Sequence, residues 1–306
     1  MSAFSAPTST RNLVVVRAGD KSLHPGWLSG DVPRNWDLIV SYYGSDPDIF
    51  RDANSRRIDH RGGKWDGLYQ LFAEHGHLLS EYDRIWLPDD DISATAASIN
   101  RIFDAMAEYK VDLLQPSLTP NSYVSWYHTL TNRLYRFRYT NLVEVMVPCL
   151  TARHLSKVLP LLRANMSGIG LDFIWCRLFP DPKWRAGILD EVSVHHTRPI
   201  GSALATKMRA MNRSAADDLA EIRRLFPSLS AAPYKEMNPY AAIDLAGNTV
   251  TGQLRLALGV LRGLDKSELA LSPNGKHAIQ RKKWISARRT LRYGANLGPL
   301  ELRAGQ

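Results

Sequence analysis

The stretch YDRIWLPDDDI, residues 82–92, places three consecutive carboxylates directly after a short apolar run. The run at 82–87 has the length and composition of a buried strand, and Pro88 ends it. Adjacent like charges repel, so the triplet at 89–91 is favourable only where a cation compensates it. Asp89 and Asp91 can both face one hard divalent cation, Mg²⁺ or Mn²⁺. The alternative is that one Asp caps the following helix while the others are solvated.

Strands and helices alternate on both sides of this stretch. Runs rich in apolar and β-branched residues predict further buried strands at 12–17, 36–44, 111–118 and 187–197. Apolar residues at helical spacing predict one helix at 63–75, a second that begins at Ser93 and a third that begins at Thr151. Ser93 is the expected N-cap of the second helix. This order predicts an α/β fold with a Rossmann-type, mostly parallel central sheet flanked by helices. Ligands of such sheets lie beyond the carboxyl ends of the strands, which is where the triplet lies.

The C-terminal third of the chain has a different character. Beyond about residue 205 helical patterns dominate, with helices expected at 212–225, 240–263 and 279–292. We therefore expect a disordered tail at 1–11, an α/β domain at 12–205 and a mostly helical, basic C-terminal region at 206–306. The chain of 306 residues carries a net charge of +9, which favours anionic partners.

The composition of the chain also indicates where the protein is located and whether its cysteines are reduced. Cys149 and Cys176 lie in apolar settings, so we expect two reduced core cysteines. No run approaches a membrane span, and the N-terminus has no apolar signal core, so a cytoplasmic protein is expected. The basic segment 279–292 can form a helix with Trp284, Ala287 and Leu291 on one apolar face. Such a helix either contacts the inner face of a membrane or packs on the protein body; nucleic acid is not the expected partner.

A pair of histidines follows the last predicted strand. Alternation places His196 on the same face as Val192 and Val194, and His195 on the opposite face. A neutral imidazole can complete a carboxylate-rich metal site, whereas the alternative is two histidines bonded to nearby backbone. Arg198 is suited to pairing with a phosphate.

Other charged residues also lie at the predicted ends of elements. Asp172, between glycines and the apolar FIWC, is either a general base or a helix N-cap. The turn containing Arg17, Gly19 and Lys21 can hold a nucleotide or be solvated. Lys64 opposes the dipole at a helix start unless it contacts an anion. Because neither GxGxxG nor a P-loop occurs, a dehydrogenase or kinase has no support.

These motifs, in this order, resemble an uncharacterised family of proposed glycosyltransferases from plants and bacteria, and more broadly the GT-A fold of nucleotide-sugar transferases. The segments that carry the resemblance are SLHPGWL at 22–28, DLIVSYYG at 37–44, GGKWDGLYQLF at 62–72, YDRIWLPDDDI at 82–92, LLQPSL at 113–118, NLVEVMVPCLT at 141–151, GLDFIWCRL at 170–178 and VSVHHTRPIG at 192–201. The resemblance covers about residues 12–201.

The resemblance implies a metal-dependent enzyme that transfers a sugar from a nucleotide-diphosphate sugar, with UDP expected, to a saccharide or lipid-linked acceptor. It assigns Mn²⁺ or Mg²⁺ to Asp89, Asp91 and a histidine, His196 or else His195. Asp172 is the implied base if the enzyme inverts, although it follows Leu171 where the family pattern has a second carboxylate. The expected nucleotide or donor contacts are Arg17, Gly19, Lys21, Lys64 and Asp90.

Two further functions compete with this one. Acidic clusters after strands also serve metal-dependent phosphoesterases. A catalytically inactive sugar- or anion-binding module is the second alternative. An aromatic stretch at 126–128 is where an acceptor sugar can stack.

Overall fold

The computed structural model of the protein describes residues 11–51, 55–163, 165–201, 206 and 208–303. The strands are β1 Asn12–Ala18, β2 Asp37–Tyr42, β3 Arg56–Asp59, β4 Arg84–Trp86, β5 Ile92–Ser93, β6 Leu113–Leu118, β7 Tyr135–Thr140, β8 Cys149–Thr151, β9 Ala186–His196, β10 Pro239–Asp244 and β11 Thr249–Thr251. The helices are α1 Lys64–Glu74, α2 Leu78–Glu81, α3 Ala96–Glu108, α4 Ala152–Leu162, α5 Leu171–Ile174, α6 Ala215–Leu225, α7 Gln253–Arg262, α8 Lys266–Leu269 and α9 Lys276–Tyr293. The tail predicted at 1–11 lies, except for Arg11, outside the described residues.

The strands form one twisted sheet in the order β11-β10-β7-β9-β6-β8-β4-β1-β2-β3, and β5 pairs with β9 at its end. Strands β1, β2, β3, β4, β6, β9 and β10 run in one direction, and β7, β8 and β11 run the opposite way. The half built from β3, β2, β1 and β4 is wholly parallel. This is an α/β architecture with a partly parallel central sheet flanked by helices, so the predicted α/β class is confirmed.

A hydrophobic core lies on each face of the sheet. In β1, Val14 and Val16 pack into one core, and Leu13 and Val15 pack into the other. Helix α3 covers the first face, whereas α1 and α4 cover the second. A strand covered on both faces has no solvent side, which explains why residues 13–16 of β1 are all apolar instead of alternating.

Two local predictions are wrong. Helix α3 is capped by Thr95, whose hydroxyl accepts the Ser98 backbone N–H, whereas Ser93 lies in β5. The segment predicted as helical at 240–263 begins instead with the hairpin of β10 and β11, and a helix starts only at Gln253. Gly247 has a φ of 88° in the hairpin turn, a conformation that glycine adopts without strain. The pairing of β10 with β7 outweighs the weak helical pattern of this segment.

The structure also tests the expectations about the two cysteines and about membrane-spanning helices. Cys149 and Cys176 are both free and buried, as expected. Within the described ranges, no helix has both the length and the apolar character needed to cross a membrane.

A buried ion pair joins β7 to β9 in the middle of the sheet. The Arg138 guanidinium donates to both carboxylate oxygens of Asp190, at 2.6 and 2.7 Å, and both side chains are almost fully buried. The carbonyls of His128 and Leu130 accept two more of its N–H groups. Removal of one partner leaves a buried charge without compensation, which costs more than the intact pair contributes.

We expect Arg138→Gln to lower the free energy of unfolding by about 3–5 kcal/mol, measured by urea denaturation, because it leaves the buried Asp190 carboxylate without an ion-pair partner. Arg136→Gln is the matched control, since Arg136 lies on the same strand and pairs with Glu191 near the surface. Its cost is expected to stay below about 1 kcal/mol. Equal costs for the two variants would contradict the proposed burial penalty.

Candidate functional site

The acidic triplet is tied to three separate parts of the chain through its backbone. The N–H of Asp89 donates to Met146, the carbonyl of Asp90 accepts from Leu23, and the carbonyl of Asp91 accepts from Thr197. The short strand β5 follows the triplet directly and pairs antiparallel with the end of β9. This pairing brings the triplet and the two histidines of β9 to the same edge of the sheet.

Each carboxylate of the triplet faces a different basic side chain. Asp89 Oδ1 lies 2.6 Å from Lys64 Nζ, and Asp90 Oδ1 lies 3.2 Å from an Arg198 guanidinium nitrogen. Asp91 Oδ2 lies 3.4 Å from His196 Nε2. The repulsion between neighbouring carboxylates is therefore offset within the protein by one ammonium and one guanidinium, and the third carboxylate lies beside an imidazole.

Asp89, Asp91 and His196 form a group suited to a metal ion. Each offers one ligand atom, and these atoms lie within 4.8 Å of one another. Asp91 Oδ1 is buried and has no hydrogen-bond partner, so an acceptor is available at this point. Carboxylate oxygens with one imidazole nitrogen suit Mn²⁺ well and Mg²⁺ acceptably. The residues present therefore fit the cation that the sequence predicts.

The orientation of His196 also suits metal binding. Its Nδ1 lies 2.8 Å from the Tyr123 carbonyl, which can only accept, so Nδ1 carries the proton. In the neutral ring Nε2 then presents its lone pair toward Asp91, the arrangement common among metal-binding histidines. Burial lowers the pKa of His196, but the Asp91 carboxylate more than offsets it, and the pKa is raised overall.

His195 lies outside this group. Its Nε2 is 3.1 Å from the Asn121 carbonyl, on the other face of β9. The alternation of side chains along β9 therefore turns only one of the two adjacent imidazoles toward the aspartates.

The triplet lines a cavity of about 760 Å³ at the end of the sheet. Asp172, at the start of α5, lines the same cavity, and burial raises the pKa of this carboxyl to about 7. The amides at the start of the helix and the Trp126 indole lower that pKa without offsetting the burial. Asp172 Oδ1 is buried and has no hydrogen-bond partner. The cavity therefore holds a carboxyl whose protonation changes near neutral pH.

Glu144 is a second such carboxyl, and the sequence analysis did not single it out. Its side chain lines the cavity, is 2% exposed, and neither carboxylate oxygen has a hydrogen-bond partner. Burial raises the pKa of Glu144 to about 7. One signal was available in the sequence: Glu144 is the only charged residue in the apolar run at 142–147, and such a residue needs a partner.

The residues expected to hold a nucleotide in the first turn lie elsewhere. Arg17 is buried and donates to Ser41 and to the carbonyls of the loop at 60–63, so it stabilises that loop. Gly19 donates its N–H to Asp90, and Lys21 is exposed with its carbonyl bonded to Arg198. None of the three lines the cavity, and their assignment to nucleotide contacts stays a prediction.

Two further predicted donor contacts are occupied by the protein itself. Lys64 Nζ donates to Asp89 and to the carbonyls of Val145 and Met146, so it stabilises the triplet instead of an external anion. The Asp90 carboxylate accepts from Gly19 and from the Tyr43 hydroxyl besides its contact with Arg198. Asp90 thus positions the first turn, although it also lies at the cavity wall.

The aromatic stretch at 126–128 is divided between the cavity and the protein interior. Trp126 lines the cavity, whereas Tyr127 and His128 are buried beneath it. Burial lowers the pKa of His128 to about 3, so this ring stays neutral. Of the three side chains, Trp126 alone can contact a ligand in the cavity.

Comparison with known proteins gives resemblances to solved structures only. No family model matches the chain, and no curated protein matches it. The chain is similar to Staphylococcus aureus TarS residues 1–349 in complex with UDP-GlcNAc, with 12% identity, a TM-score of 0.46 and coverage of 97% of this chain and 98% of that one. For the same TarS segment with UDP, identity is 12%, the TM-score is 0.43 and the coverages are 92% and 90%. For a TarS structure described without a ligand, identity is 11%, the TM-score is 0.44, and the match spans 92% of this chain but 55% of that chain.

We expect His196→Ala to weaken Mn²⁺ binding by at least about tenfold, measured by the electron paramagnetic resonance signal of free Mn²⁺, because the imidazole is one of three grouped ligands. His195→Ala is the matched control, since it removes the neighbouring ring that faces away from the aspartates. An equal loss in the two variants, or no Mn²⁺ binding by the unmodified protein, would rule out this ligand set.

Proposed function

We propose that the chain is a metal-dependent glycosyltransferase that moves a sugar from a nucleotide-diphosphate sugar to an acceptor hydroxyl. One observation supports this proposal above the others. The metal-ligand group of Asp89, Asp91 and His196 shares a single cavity with Asp172 and Glu144, two carboxyls whose pKa values are raised to about 7. A cation site beside a proton acceptor is what transfer from a diphosphate leaving group requires.

The cavity suits the donor in size and charge. About 760 Å³ is within the range of pockets that hold a small organic ligand. Arg198, Arg209 and Arg213 line it, and guanidinium groups pair well with phosphate oxygens. We propose UDP as the nucleotide from the family resemblance, with its diphosphate contacted by these arginines.

The metal site would hold Mn²⁺ or Mg²⁺ through Asp89, Asp91 and His196. A bound cation supplies Lewis-acid stabilisation of the negative charge that develops on the departing diphosphate. Lys64 lies beside Asp89 and keeps that carboxylate oriented when the ligand group is assembled.

Asp172 is proposed to accept the proton of the acceptor hydroxyl. As that proton leaves, the hydroxyl oxygen bonds to the anomeric carbon, and the bond from this carbon to the diphosphate breaks with its electron pair on the diphosphate. A carboxyl with a pKa of about 7 is an effective base near neutral pH. Glu144, whose oxygens have no partner within the protein, is proposed to bind a sugar hydroxyl and orient the donor.

A thermal-shift screen of nucleotide sugars with and without Mn²⁺ tests the proposed function. We expect a UDP-sugar with Mn²⁺ to raise the melting temperature by several degrees, because a ligand at 100 times its Kd stabilises by about 2.7 kcal/mol. Asp91→Asn is expected to abolish the shift. Asp31→Asn, which removes an exposed carboxylate far from the cavity wall, is the control and is expected to retain it.

Each alternative function predicts a different result in that screen. A binding module retains the shift in Asp91→Asn, because its affinity does not depend on a metal. A phosphoesterase hydrolyses p-nitrophenyl phosphate in the presence of Mn²⁺ and transfers no sugar. Either result, or the lack of any shift with the unmodified protein, would overturn the proposal.

The base is tested by comparing Asp172→Asn with Glu144→Gln over a range of pH. Since a base must be ionised, turnover is expected to rise as the pH increases to about 7 and to level off above it. Asp172→Asn is expected to lower kcat by about 10²–10⁴-fold with unchanged donor binding, and Glu144→Gln to raise KM more than it lowers kcat. The reverse pattern would make Glu144 the base.

A further inference from the structure

Helix α9 has an outward face that mixes arginines with large apolar side chains. Residues on this face recur three or four positions apart, so they form one continuous stripe on the helix surface. All are exposed to solvent, and Trp284, at 66%, is the most exposed of its apolar members. The stripe, called here the α9 outer face, consists of Arg281, Trp284, Ile285, Arg288, Leu291 and Arg292.

The opposite face of α9 accounts for its packing. Ile279, Ala287 and Thr290 are buried against the body of the protein, and Lys282 and Lys283 donate inward to backbone carbonyls. Ala287 follows Trp284 by three residues and precedes Leu291 by four, but it is buried whereas they are exposed, so it lies at the boundary between the two faces. The outer face is thus not needed to hold the helix in place.

The charge of the outer face is uncompensated. Helix α9 contains no acidic residue, and within the described part of the chain no salt bridge involves Arg281, Arg288 or Arg292. On a helix face that contacts only water, Trp284, Ile285 and Leu291 contribute no free energy of apolar burial. A face that combines basic groups with aromatic and aliphatic ones matches the interface of an anionic bilayer.

We propose that the α9 outer face binds the surface of an anionic lipid bilayer. The three arginines contact lipid phosphates, and Trp284, Ile285 and Leu291 enter the boundary between headgroups and acyl chains. Nucleic acid fits this face less well, because Ile285 and Leu291 have no ring on which a base can stack. The proposal does not depend on the chemistry of the cavity.

Binding of the α9 outer face to a bilayer also determines how far the cavity lies from the lipid. Lys282 Nζ, on the inner side of α9, lies 3.1 Å from the carbonyl of Ser125, a residue of the cavity wall. With α9 on a bilayer, this part of the cavity wall lies roughly one helix diameter, about 10 Å, from the lipid surface.

Co-sedimentation with vesicles tests this proposal on the full chain. We expect binding to vesicles of phosphatidylcholine mixed with phosphatidylglycerol, and little binding to phosphatidylcholine alone. Arg281→Gln/Arg288→Gln/Arg292→Gln is expected to weaken partitioning roughly 100-fold, since each basic residue near an anionic leaflet contributes about fivefold. Trp284→Ser/Ile285→Ser/Leu291→Ser is expected to weaken it as well, because the apolar insertion is lost.

The control is Arg56→Gln/Arg61→Gln/Arg303→Gln, which removes the same charge from exposed arginines outside α9 and is expected to bind like the unmodified protein. Unchanged melting temperatures establish that all three variants are folded. Failure of the unmodified protein to bind anionic vesicles, or an equal loss in the control, overturns the proposal. Full vesicle binding by the Ser variant together with competition by single-stranded DNA also overturns it and indicates a nucleic-acid site.

Discussion

The structure depends on the contacts of three adjacent carboxylates with three basic side chains from two separate parts of the chain. Lys64 comes from the start of α1, and His196 and Arg198 come from the end of β9 and the turn that follows. The triplet itself follows β4, so these contacts hold together elements on opposite sides of β8 in the sheet. Without them, the repulsion between the aspartates would destabilise this end of the sheet. The same contacts bring two carboxylates and an imidazole to one point.

The ionisable side chains of the site share a second property, which is their burial away from water. Burial raises the pKa of Asp89, Asp172 and Glu144 and lowers the pKa of Lys64, in each case as the largest cause. In a poorly hydrated wall, the attraction between opposite charges is stronger than in water. This favours binding of a divalent cation to the carboxylates and of a diphosphate to the cation. Burial also leaves oxygens of Asp172 and Glu144 without hydrogen-bond partners, so stability is lost where a substrate would be bound.

Basic residues in this chain serve two distinct purposes that sequence alone does not separate. Arg17 and Arg138 are buried and saturated by carbonyls or a carboxylate, so they act as structural cross-links. Arg198 lines the cavity, and Arg288 lies on an exposed helix face. Whether a guanidinium meets acceptors or an external anion depends on carbonyls contributed by distant loops, which residue type and spacing do not reveal.

The amino-acid sequence by itself determined the α/β class, the main strands and the position of the acidic triplet, because buried strands and their ends have strong local patterns. Alternation along β9 also predicted which histidine faces Val194, and the structure turns that ring toward Asp91. Only the tertiary structure decided the pairing of β10 with β7, the inward turn of Glu144 and the use of Arg17 for the loop at 60–63. These features depend on partners far apart in the chain, and a local pattern carries no information about which distant groups will meet.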